Sequence, residues 1–323
     1  MWLGARLHEV WLQRKKFPPI GHQVAGREAE EHLTKIISAG IEGTHWRMWE
    51  GLRIPNKDGR RREVDCIVVG GERVLMIEQK HWSGEMEIIS EDGRERVIQH
   101  RRSGDKMDHG DVFGTIKLKT TILQYHHGAS EFFAVEMLPF VIFSNRNLVI
   151  PNSVKAREDC WSLADILDYL PKSGGNDPSK DGLSAPNSAL AATLDRLGSW
   201  DTLHYYGGQQ TIGDIYSVSE NSGRLASLFK QHRERITKIK ILAGRSLWKA
   251  IIKRPALTAE LYDEEGMFEV CEVGSGGCLN YRGAGSRQRK TLEWRHITGM
   301  ELTSRIVDDK DGVPRAPTDY SKL

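Results

Sequence analysis

One stretch of the sequence decides the fold of the first half of the chain: EVDCIVVGGERVLMIEQKHWSG, residues 63–84. Two apolar runs within it, 66–69 and 74–77, are rich in β-branched residues and flank a Gly-Gly-Glu-Arg connector. Runs of this kind around a short glycine-containing connector predict a β-hairpin. A two-residue turn at residues 71–72 then sets the register of the two strands.

This register places ionic side chains opposite one another at the open end of the hairpin. Asp65 faces Glu78 and Glu63 faces Lys80, and all four lie on one face because side chains along a strand alternate. Directly opposed carboxylates repel each other. A sheet has no structural reason to choose such a pair, whereas a divalent cation bound between the carboxylates would supply one. The hairpin therefore predicts a metal site built on Asp65 and Glu78.

The predicted ligands suit the hydrolysis of phosphodiester bonds. Oxygen ligands with retained waters favour Mg²⁺ or Mn²⁺ over Zn²⁺. Such an ion, held by Asp65, Glu78 and the backbone carbonyl of Gln79, would activate a water and neutralise charge on a phosphate. Lys80 lies on the same face as Glu78, two residues further on. It would orient or deprotonate the water and stabilise the charge of the transition state.

The same residues carry a family resemblance. Asp65 followed by the triplet Glu78-Gln79-Lys80 is similar to the Asp…Glu-x-Lys signature of the PD-(D/E)xK nuclease superfamily, and the flanking residues resemble its nuclease-related domain, NERD. The resemblance covers residues 24–145. It implies an α/β fold with a restriction-endonuclease-like mixed sheet flanked by helices, and a Mg- or Mn-dependent nuclease acting on DNA. In the superfamily the Asp and Glu bind metal and the Lys assists the attacking water.

A helix predicted over residues 24–39 adds a third carboxylate. Its apolar positions recur with helical spacing at Ala29, Leu33, Ile36 and Ile37. Glu30 lies at the edge of this stripe, where a carboxylate is costly without a partner, although a solvated helix glutamate is the simpler interpretation. Residues 26–30 resemble the Gly-x-x-Gly-Glu that opens NERD domains, with Ala29 replacing the second Gly. The resemblance implies that Glu30 joins the catalytic acidic cluster, so we expect this helix to pack across the ionic face.

A basic run, Arg60, Arg61 and Arg62, precedes the ionic end of the hairpin. Two interpretations stay open for it. The side chains are either solvated loop charges or contacts to nucleic-acid phosphates, which require no specific geometry.

A further candidate nucleic-acid contact, Lys119, lies in a helix predicted over residues 111–127. It shares one stripe of that helix with Val112, Ile116 and Leu123. The NERD family carries a Gln early in this helix and a basic residue one turn later. Thr115 and Lys119 stand at the corresponding places, the Gln is absent, and Lys117 competes with Lys119 for the basic position.

The composition is typical of a globular protein with a real core, since 39% of residues are hydrophobic and 28% charged. The net charge of +2 means that any binding of nucleic acid must use local basic patches. The four cysteines are scattered without a CxxC pair, which argues against a zinc site or a disulfide framework. No apolar run reaches membrane-spanning length, and residues 1–23 lack a signal-peptide core. We therefore expect a cytoplasmic protein that does not enter a membrane.

The length allows two domains. A Gly/Pro/Ser-rich region, 171–190, is predicted as a linker or surface loop. Residues 1–170 form the predicted NERD-like domain, which begins with a basic amphipathic helix. That helix is either a peripheral packing element of the domain or an arm for nucleic acid. Residues 191–323 are predicted to form a smaller α+β or β-rich domain that binds substrate, a protein partner or a second copy of the chain.

Strands and one helix are predicted in this C-terminal part, at 202–206, 212–218, 222–235 (helix), 258–272, 278–282 and 291–303. Basic side chains cluster there around Tyr281 and Trp294; they are Arg282, Arg287, Arg289, Lys290 and Arg295. Such a mixture suits nucleic acid. Equally, alternation along a strand would leave half of these charges in solvent.

Three functional hypotheses follow. The first is a metal-dependent nuclease that acts on DNA. The second is a catalytically inactive nucleic-acid-binding or scaffold protein that keeps the nuclease fold. The third treats Asp65 and Glu78 as members of a structural ion-pair network with Lys80 and Arg60–Arg62, although buried ion pairs seldom stabilise a fold by themselves.

Overall fold

A computed structural model describes residues 3–19, 21–55, 61–70, 73–91, 93–126, 135–170, 185–195, 197–246, 248, 256–274, 276–284, 286, 288–303, 307–308 and 314–315. The chain divides into two compact units, one containing Val24–Leu197 and the other Met1–Gln23 with Gly198–Pro317. The first helix, α1 (Leu3–Gln13), belongs to the second of these units. The domain scheme predicted above had attached it to the NERD-like domain. No helix in the described ranges is long and apolar enough to cross a membrane.

The unit Val24–Leu197 is built on a five-stranded mixed sheet in the order β1-β2-β3-β7-β9. The elements between residues 21 and 194 are, in chain order, α2 (Gly21–Ile41), β1 (Arg47–Pro55), β2 (Arg61–Gly70), β3 (Arg73–Lys80), β4 (Gly84–Glu91), β5 (Arg94–His100), β6 (Lys106–Asp108), α3 (Val112–His126), β7 (Glu136–Phe143), β8 (Leu148–Val149), α4 (Asn152–Lys155), β9 (Cys160–Trp161), α5 (Leu163–Tyr169) and α6 (Ala185–Leu194). Strands β4, β5, β6 and β8 form a separate four-stranded sheet.

Helices cover both faces of the main sheet. One face packs against α2 and α5 through Leu33, Ile37 and Ile166. The other packs against α3 and α6 through Ile116 and Leu190. Each fully buried aliphatic side chain of this kind stabilises the fold by about 1.5–3 kcal/mol. The predicted fold class, a mixed α/β sheet flanked by helices and followed by a β-rich region, is confirmed.

The central hairpin β2–β3 has the predicted register from Gly70 to Cys66, but the ladder does not extend to the predicted pairs of Asp65 with Glu78 and Glu63 with Lys80. Ile67 pairs with Met76, Val69 with Val74 and Gly70 with residue 73. The proposed turn residues 71 and 72 lie outside the described residues. Every side chain of the two apolar runs is at most 2% exposed, because the sheet is covered on both faces.

A local irregularity in β2 falls at Asp65. The β1–β2 ladder is regular on either side but has no pair between Gly51 and Asp65. Gly51 has a φ of 55°, a conformation that favours glycine. Val64 packs into the same core as Ile67 and Val69, so the alternation of faces shifts by one residue at this point. Strand parity alone therefore does not assign a face to Asp65.

The predicted linker region contains a helix. Residues 171–184 lie outside the described ranges, and residues 185–190 form the first part of α6. Leu190 and Leu194 of α6 are fully buried in the core of the sheet unit. The division between the two units consequently falls at residues 197/198 rather than within 171–190.

The second unit contains an antiparallel eight-stranded sheet in the order β14-β13-β12-β17-β10-β11-β15-β16. Its elements after α1 are β10 (Asp201–Tyr205), β11 (Gln210–Val218), α7 (Arg224–His232), β12 (Lys238–Ala243), β13 (Leu257–Tyr262), β14 (Met267–Val273), β15 (Cys278–Gly283), β16 (Lys290–Glu293) and β17 (Ile297–Glu301), followed by the short pair β18 (Val307–Asp308) and β19 (Pro314–Arg315). The single strand predicted over 258–272 is the hairpin β13–β14, which turns at residues 263–266.

The basic and aromatic cluster predicted in this unit separates into core and surface. Trp294 is fully buried and Tyr281 is 8% exposed, so neither aromatic offers a face to a ligand. The Arg282 guanidinium pairs with the buried carboxylate of Asp214 at 2.9 Å. Arg289 stacks over the Tyr216 ring, and Arg287 lies outside the described residues. The cluster is therefore not a nucleic-acid surface of interleaved cations and aromatics.

Candidate active site

The end of β3 carries three consecutive polar residues that point to alternating faces. Glu78 and Lys80 lie on the face covered by α3. Gln79 lies on the other, where its side-chain Nε2 donates to the carbonyl of Ala29 in α2 at 3.1 Å. Glu78 and Gln79 are both only 7% exposed. A buried strand between two helices thus delivers a carboxylate and an amine to one side of the sheet.

Glu78 is held by two lysines. The Lys80 ammonium donates to Oε1 at 2.7 Å, and the Lys119 ammonium donates to Oε2 at 2.5 Å. Lys119 is 8% exposed, because it lies on the inward stripe of α3. Both carboxylate oxygens of Glu78 therefore have charged donors in this structure.

Asp65 approaches Glu78 from the neighbouring strand. The β2–β3 ladder ends at the pair Cys66↔Ile77. Just beyond it, the backbone N–H of Gln79 donates to Oδ2 of Asp65 at 2.7 Å. A side chain rather than a backbone carbonyl satisfies this strand N–H, which fixes the Asp65 carboxylate beside Glu78.

The two carboxyl groups differ in their titration. Burial and the charge of Glu78 raise the pKa of Asp65 to about 7, since Lys80 and the Gln79 N–H offset only part of these effects. Burial alone would also raise the pKa of Glu78, but Lys80 and Lys119 outweigh it and hold that pKa below its usual value. Asp65 is therefore the carboxylate whose charge is insufficiently compensated.

Lys80 is protonated at neutral pH. Burial alone would lower the pKa of its amine, yet the charges of Glu78 and Asp65 raise the pKa above the ordinary lysine value. An ammonium donates hydrogen bonds and cannot accept a proton. In this state Lys80 can orient and stabilise but cannot act as a base.

Glu30 lies near the site without entering the cluster. Its side chain is largely exposed on α2. Partial desolvation of the carboxyl, together with repulsion from Glu63 and Glu78, raises its pKa, while Lys80 opposes the rise. The expectation that α2 packs across the face of Val69 and Met76 is wrong. α2 packs on the opposite face because its buried positions, Ala29, Leu33 and Ile37, meet the other side chains of the hairpin.

The predicted nucleic-acid contacts are placed differently from one another. Arg60 lies outside the described residues, Arg61 is half-buried and Arg62 is exposed. Lys119 was predicted to contact nucleic acid. It is instead buried against Glu78 and not exposed to a nucleic-acid backbone. Its role in this structure is to hold a carboxylate. The competing residue Lys117 is exposed and pairs with Asp159 at 2.7 Å.

One neighbour of the site was not found from the sequence. The imidazole of His109 stacks on Trp82 with ring centroids 3.7 Å apart, and its Nε2 lies 3.0 Å from the Gln99 side chain. Burial, then the charge of Lys80, lowers the pKa of His109. The only feature of the sequence that pointed to this neighbour was Trp82, which follows Lys80 by two residues. Nothing local marks His109, because it reaches the site from β6 and the loop that follows.

A divalent cation fits the donors present. Asp65, Glu78 and the Gln79 carbonyl are hard oxygen donors, and burial followed by repulsion from Glu78 raises the pKa of Asp65, which a bound cation would oppose. Mg²⁺ commonly uses one or two carboxylates and completes its shell with waters and phosphate oxygens. Within the described ranges no three His, Cys, Asp or Glu side chains converge as ligands, so Glu30 does not supply a third. Glu78 would have to release at least one lysine to bind the ion.

The mixed sheet covered by helices, with Asp65, Glu78 and Lys80 at the end of the central hairpin, is the arrangement that the nuclease resemblance implied for this segment. Comparison with family models agrees, because residues 25–144 match the family described as nuclease-related domain. The NERD resemblance is thereby confirmed, and this segment belongs to the PD-(D/E)xK-like superfamily.

A curated relative matches part of the chain. It is named probable kinase PglW, from Streptomyces coelicolor (strain ATCC BAA-471 / A3(2) / M145), and is 24% identical over 160 residues. The match covers 49% of this chain and 10% of that protein, so the matching half of this chain spans about a tenth of the relative's length. No solved structure matches the chain.

Proposed function

We propose that the NERD unit is a metal-dependent nuclease that hydrolyses phosphodiester bonds in DNA with Mg²⁺ or Mn²⁺. The observation that carries the proposal is the approach of Asp65 to Glu78 on adjacent strands, beside a protonated Lys80. The family match supports a nuclease-like activity. The relative's name describes a far longer protein and lends this unit no kinase activity.

Asp65, Glu78 and the carbonyl of Gln79 are the groups that would hold the ion. When bound, Mg²⁺ or Mn²⁺ supplies Lewis-acid polarisation of a phosphoryl oxygen and lowers the pKa of a bound water. The Gln79 N–H fixes one oxygen of Asp65, and Lys119 fixes one oxygen of Glu78. These contacts orient both carboxylates before any substrate arrives, which is the preorganisation that such sites require.

Lys80 contributes charge rather than a base. Its ammonium lies 2.7 Å from Glu78 and is the more exposed of the two lysines on that carboxylate. When Glu78 turns towards a cation, Lys80 is free to donate to a phosphate oxygen or to the attacking water. A donor of this kind stabilises the negative charge that grows in the transition state. Arg61 and Arg62 at the start of β2 would contact flanking phosphates.

A second candidate function also has an observation in its favour. Glu78 is already satisfied by two ammonium groups, as expected for a structural ion-pair cluster. A protein of this kind would bind nucleic acid or act as a scaffold without cleaving. The two candidates differ in whether Glu78 ever exchanges a lysine for a cation.

A cleavage assay with matched variants separates them. The full chain is incubated with linear duplex, circular duplex and single-stranded DNA, with Mg²⁺, with Mn²⁺ or with EDTA. We expect cleavage only with metal, and a loss on the order of a hundredfold or more in Glu78→Gln, because one charged metal ligand is removed. Glu85→Gln, on the exposed face of β4, is the matched control and should cleave normally.

Equal cleavage by wild type and Glu78→Gln would contradict the assigned site. Metal-independent binding of DNA without cleavage on any substrate would favour the second candidate.

A further inference from the structure

The segment that follows α1 is hydrogen-bonded through its backbone to the turn between β10 and β11. The Phe17 N–H donates to the Tyr206 carbonyl at 2.8 Å, and the Gln209 N–H donates to the Phe17 carbonyl at 2.9 Å. The connection between β10 and β11 bends around this contact at Gly207, whose φ is 106° and where a Cβ would lie 2.7 Å from the Phe17 nitrogen. The segment after α1 is therefore held in a fixed place on that turn.

Arginine side chains lock the same segment to the strand end after β12. Arg14 Nε donates to the carbonyl of Arg245 at 2.8 Å, and Arg245 Nε donates to the carbonyl of Gln13 at 2.8 Å. The Arg245 guanidinium also lies 4.1 Å from the centre of the Tyr206 ring. These reciprocal contacts tie the end of α1 to the chain that follows β12.

Positive charge accumulates here without matching acids. Lys15 lies over the Phe17 ring at 5.3 Å, and both Lys15 and Lys16 are exposed. The two nearby carboxylates, Glu9 and Glu293, both pair with Arg295. Within the described ranges, Arg14, Lys15, Lys16 and Arg245 consequently have no carboxylate partner. A protein with a net charge of only +2 thus carries a concentrated basic patch on this unit.

His296 packs edge-on against Phe17. Burial lowers the pKa of His296, while the neighbouring charges act in both directions: Glu293 and Glu9 raise it, and Arg295 and Lys15 lower it.

An exposed aromatic extends the patch along α1. Trp11 is 66% exposed and stacks on His8 with ring centroids 5.9 Å apart. Trp11 lies in the last turn of α1, which ends at Gln13, and Arg14 and Lys15 follow directly after the helix. The buried side of the same helix is anchored by Val10 and Gln13.

We propose that this patch, formed by Trp11, Arg14, Lys15 and Lys16, is a binding surface for single-stranded nucleic acid. The cations contact successive phosphates, and Trp11 stacks on an unpaired base. The inference adds a binding site to a unit that takes no part in the proposed catalysis. It holds whether or not the NERD unit cleaves DNA.

The chemistry of the patch favours a nucleic acid over other anions. A line of cations beside a solvent-exposed indole is the pattern of surfaces that track a single strand, in which bases stack on aromatic side chains. The faces of bases within a duplex are covered by their neighbours, so a duplex could use only the cations. A membrane surface would require a continuous apolar face on α1, whereas its Val10 side is buried in the unit.

Binding is measured on the full chain in EDTA, so that metal-dependent cleavage plays no part. The probe is a labelled oligothymidine of about 20 nucleotides, longer than the usual site size of such surfaces. Fluorescence anisotropy is recorded at several salt concentrations for wild type, Lys15→Glu/Lys16→Glu and Trp11→Ala. The matched control, Lys230→Glu/Lys290→Glu, makes the same charge change at exposed positions on α7 and β16 of the same unit.

We expect Lys15→Glu/Lys16→Glu to bind roughly tenfold more weakly at about 0.1 M salt and to show a shallower salt dependence. Trp11→Ala should lose roughly tenfold for the oligothymidine but nothing for a duplex of equal length. The control should bind as wild type does. Should charge reversal unfold the unit, Lys15→Gln/Lys16→Gln gives the same comparison.

Wild-type affinity in the Lys15/Lys16 variants would overturn the proposal. An equal loss in the Lys230/Lys290 control would also overturn it, because net charge alone would then explain the binding. Binding to vesicles of anionic lipid, without binding to the oligothymidine, would assign the surface to membranes instead.

Discussion

The ammonium of Lys119 lies 2.5 Å from Oε2 of Glu78 inside the sheet unit, where both residues are less than a tenth exposed. The pair joins α3 to the central strand β3. A buried charge destabilises the fold unless it is paired. Removing either partner alone would therefore leave the other as an unpaired buried charge. Several expectations depend on this contact.

Lys119→Met keeps the length of the side chain and removes its charge. We expect a loss of about 2–4 kcal/mol in the free energy of unfolding, since Glu78 then keeps only Lys80. Lys117→Met, two residues away on the exposed side of α3, should cost less than about 1 kcal/mol although it also breaks an ion pair. Urea unfolding in EDTA measures both.

A double variant separates charge from packing at the same place. In Lys119→Met/Glu78→Gln both charges are gone, so part of the stability should return relative to Lys119→Met alone. Strictly additive losses would show that Lys119 matters for packing and not for the charge of Glu78.

The pKa of Asp65 predicts a pH dependence of stability in the absence of metal. The folded-state pKa of about 7 lies above the ordinary value of 3.8. The folded state therefore binds the proton more tightly, and stability falls as pH rises from about 4 through 7. Asp65→Asn removes this slope, so its stability relative to wild type should increase between pH 5 and pH 8. The gain should be on the order of 1–3 kcal/mol.

Urea unfolding in EDTA at the two pH values checks this expectation. Glu85→Gln, which removes an exposed carboxyl from β4, serves as control. Parallel pH profiles for wild type and Asp65→Asn would show that Asp65 carries no uncompensated charge.

Lys80 is expected to affect catalysis more than metal binding. Lys80→Met removes the cation that would stabilise the transition state, so cleavage should fall by roughly a hundredfold or more. Removing a positive charge next to the ligands should leave the Mn²⁺-induced rise in thermal midpoint intact or larger. Loss of that rise together with cleavage would place Lys80 among the groups that form the metal site itself.

Two glycines of the sheet unit should respond oppositely to alanine. A Cβ at Gly70 would lie 1.9 Å from the Trp46 ring, so Gly70→Ala must displace a packed indole and should cost at least about 1–3 kcal/mol. Gly26 lies within α2, where a Cβ would have no neighbouring atom within 4 Å, and Gly26→Ala should stabilise by up to about 1 kcal/mol. Thermal unfolding of the two variants checks the packing around the hairpin, and destabilisation by Gly26→Ala would contradict it.

The hairpin could be predicted from sequence because its determinants are local. Two β-branched runs around a short connector leave one register that buries both runs, and that register is present from Gly70 to Cys66. The amphipathic helices α2 and α3 follow from equally local periodicity. The sequence of β12, Lys238–Ala243, also alternates between polar and apolar residues at its start, but this strand was not predicted.

The surroundings of the site could not be predicted in the same way. The sequence identifies the buried stripe of α2 but not the face of the sheet against which it packs, because that depends on tertiary packing. The interruption at Asp65 depends on Gly51 in the opposite strand. Lys119 was assigned to nucleic acid although its place beside Ile116 and Leu123 already put it on the inward stripe. Its partner Glu78 is 41 residues away in the chain, so no local sequence pattern identifies the pair.

The central claim is that Asp65 and Glu78 bind a divalent cation together, and anomalous diffraction at the manganese edge tests it most directly. Crystals of the full chain soaked in Mn²⁺ should show a peak between these two carboxylates, with Glu78 released from at least one lysine. Glu78→Gln crystals should lack the peak. Wild-type crystals without a peak there, in which Glu78 still accepts from both Lys80 and Lys119, would contradict the metal site and leave the carboxylate as part of a structural ion-pair cluster.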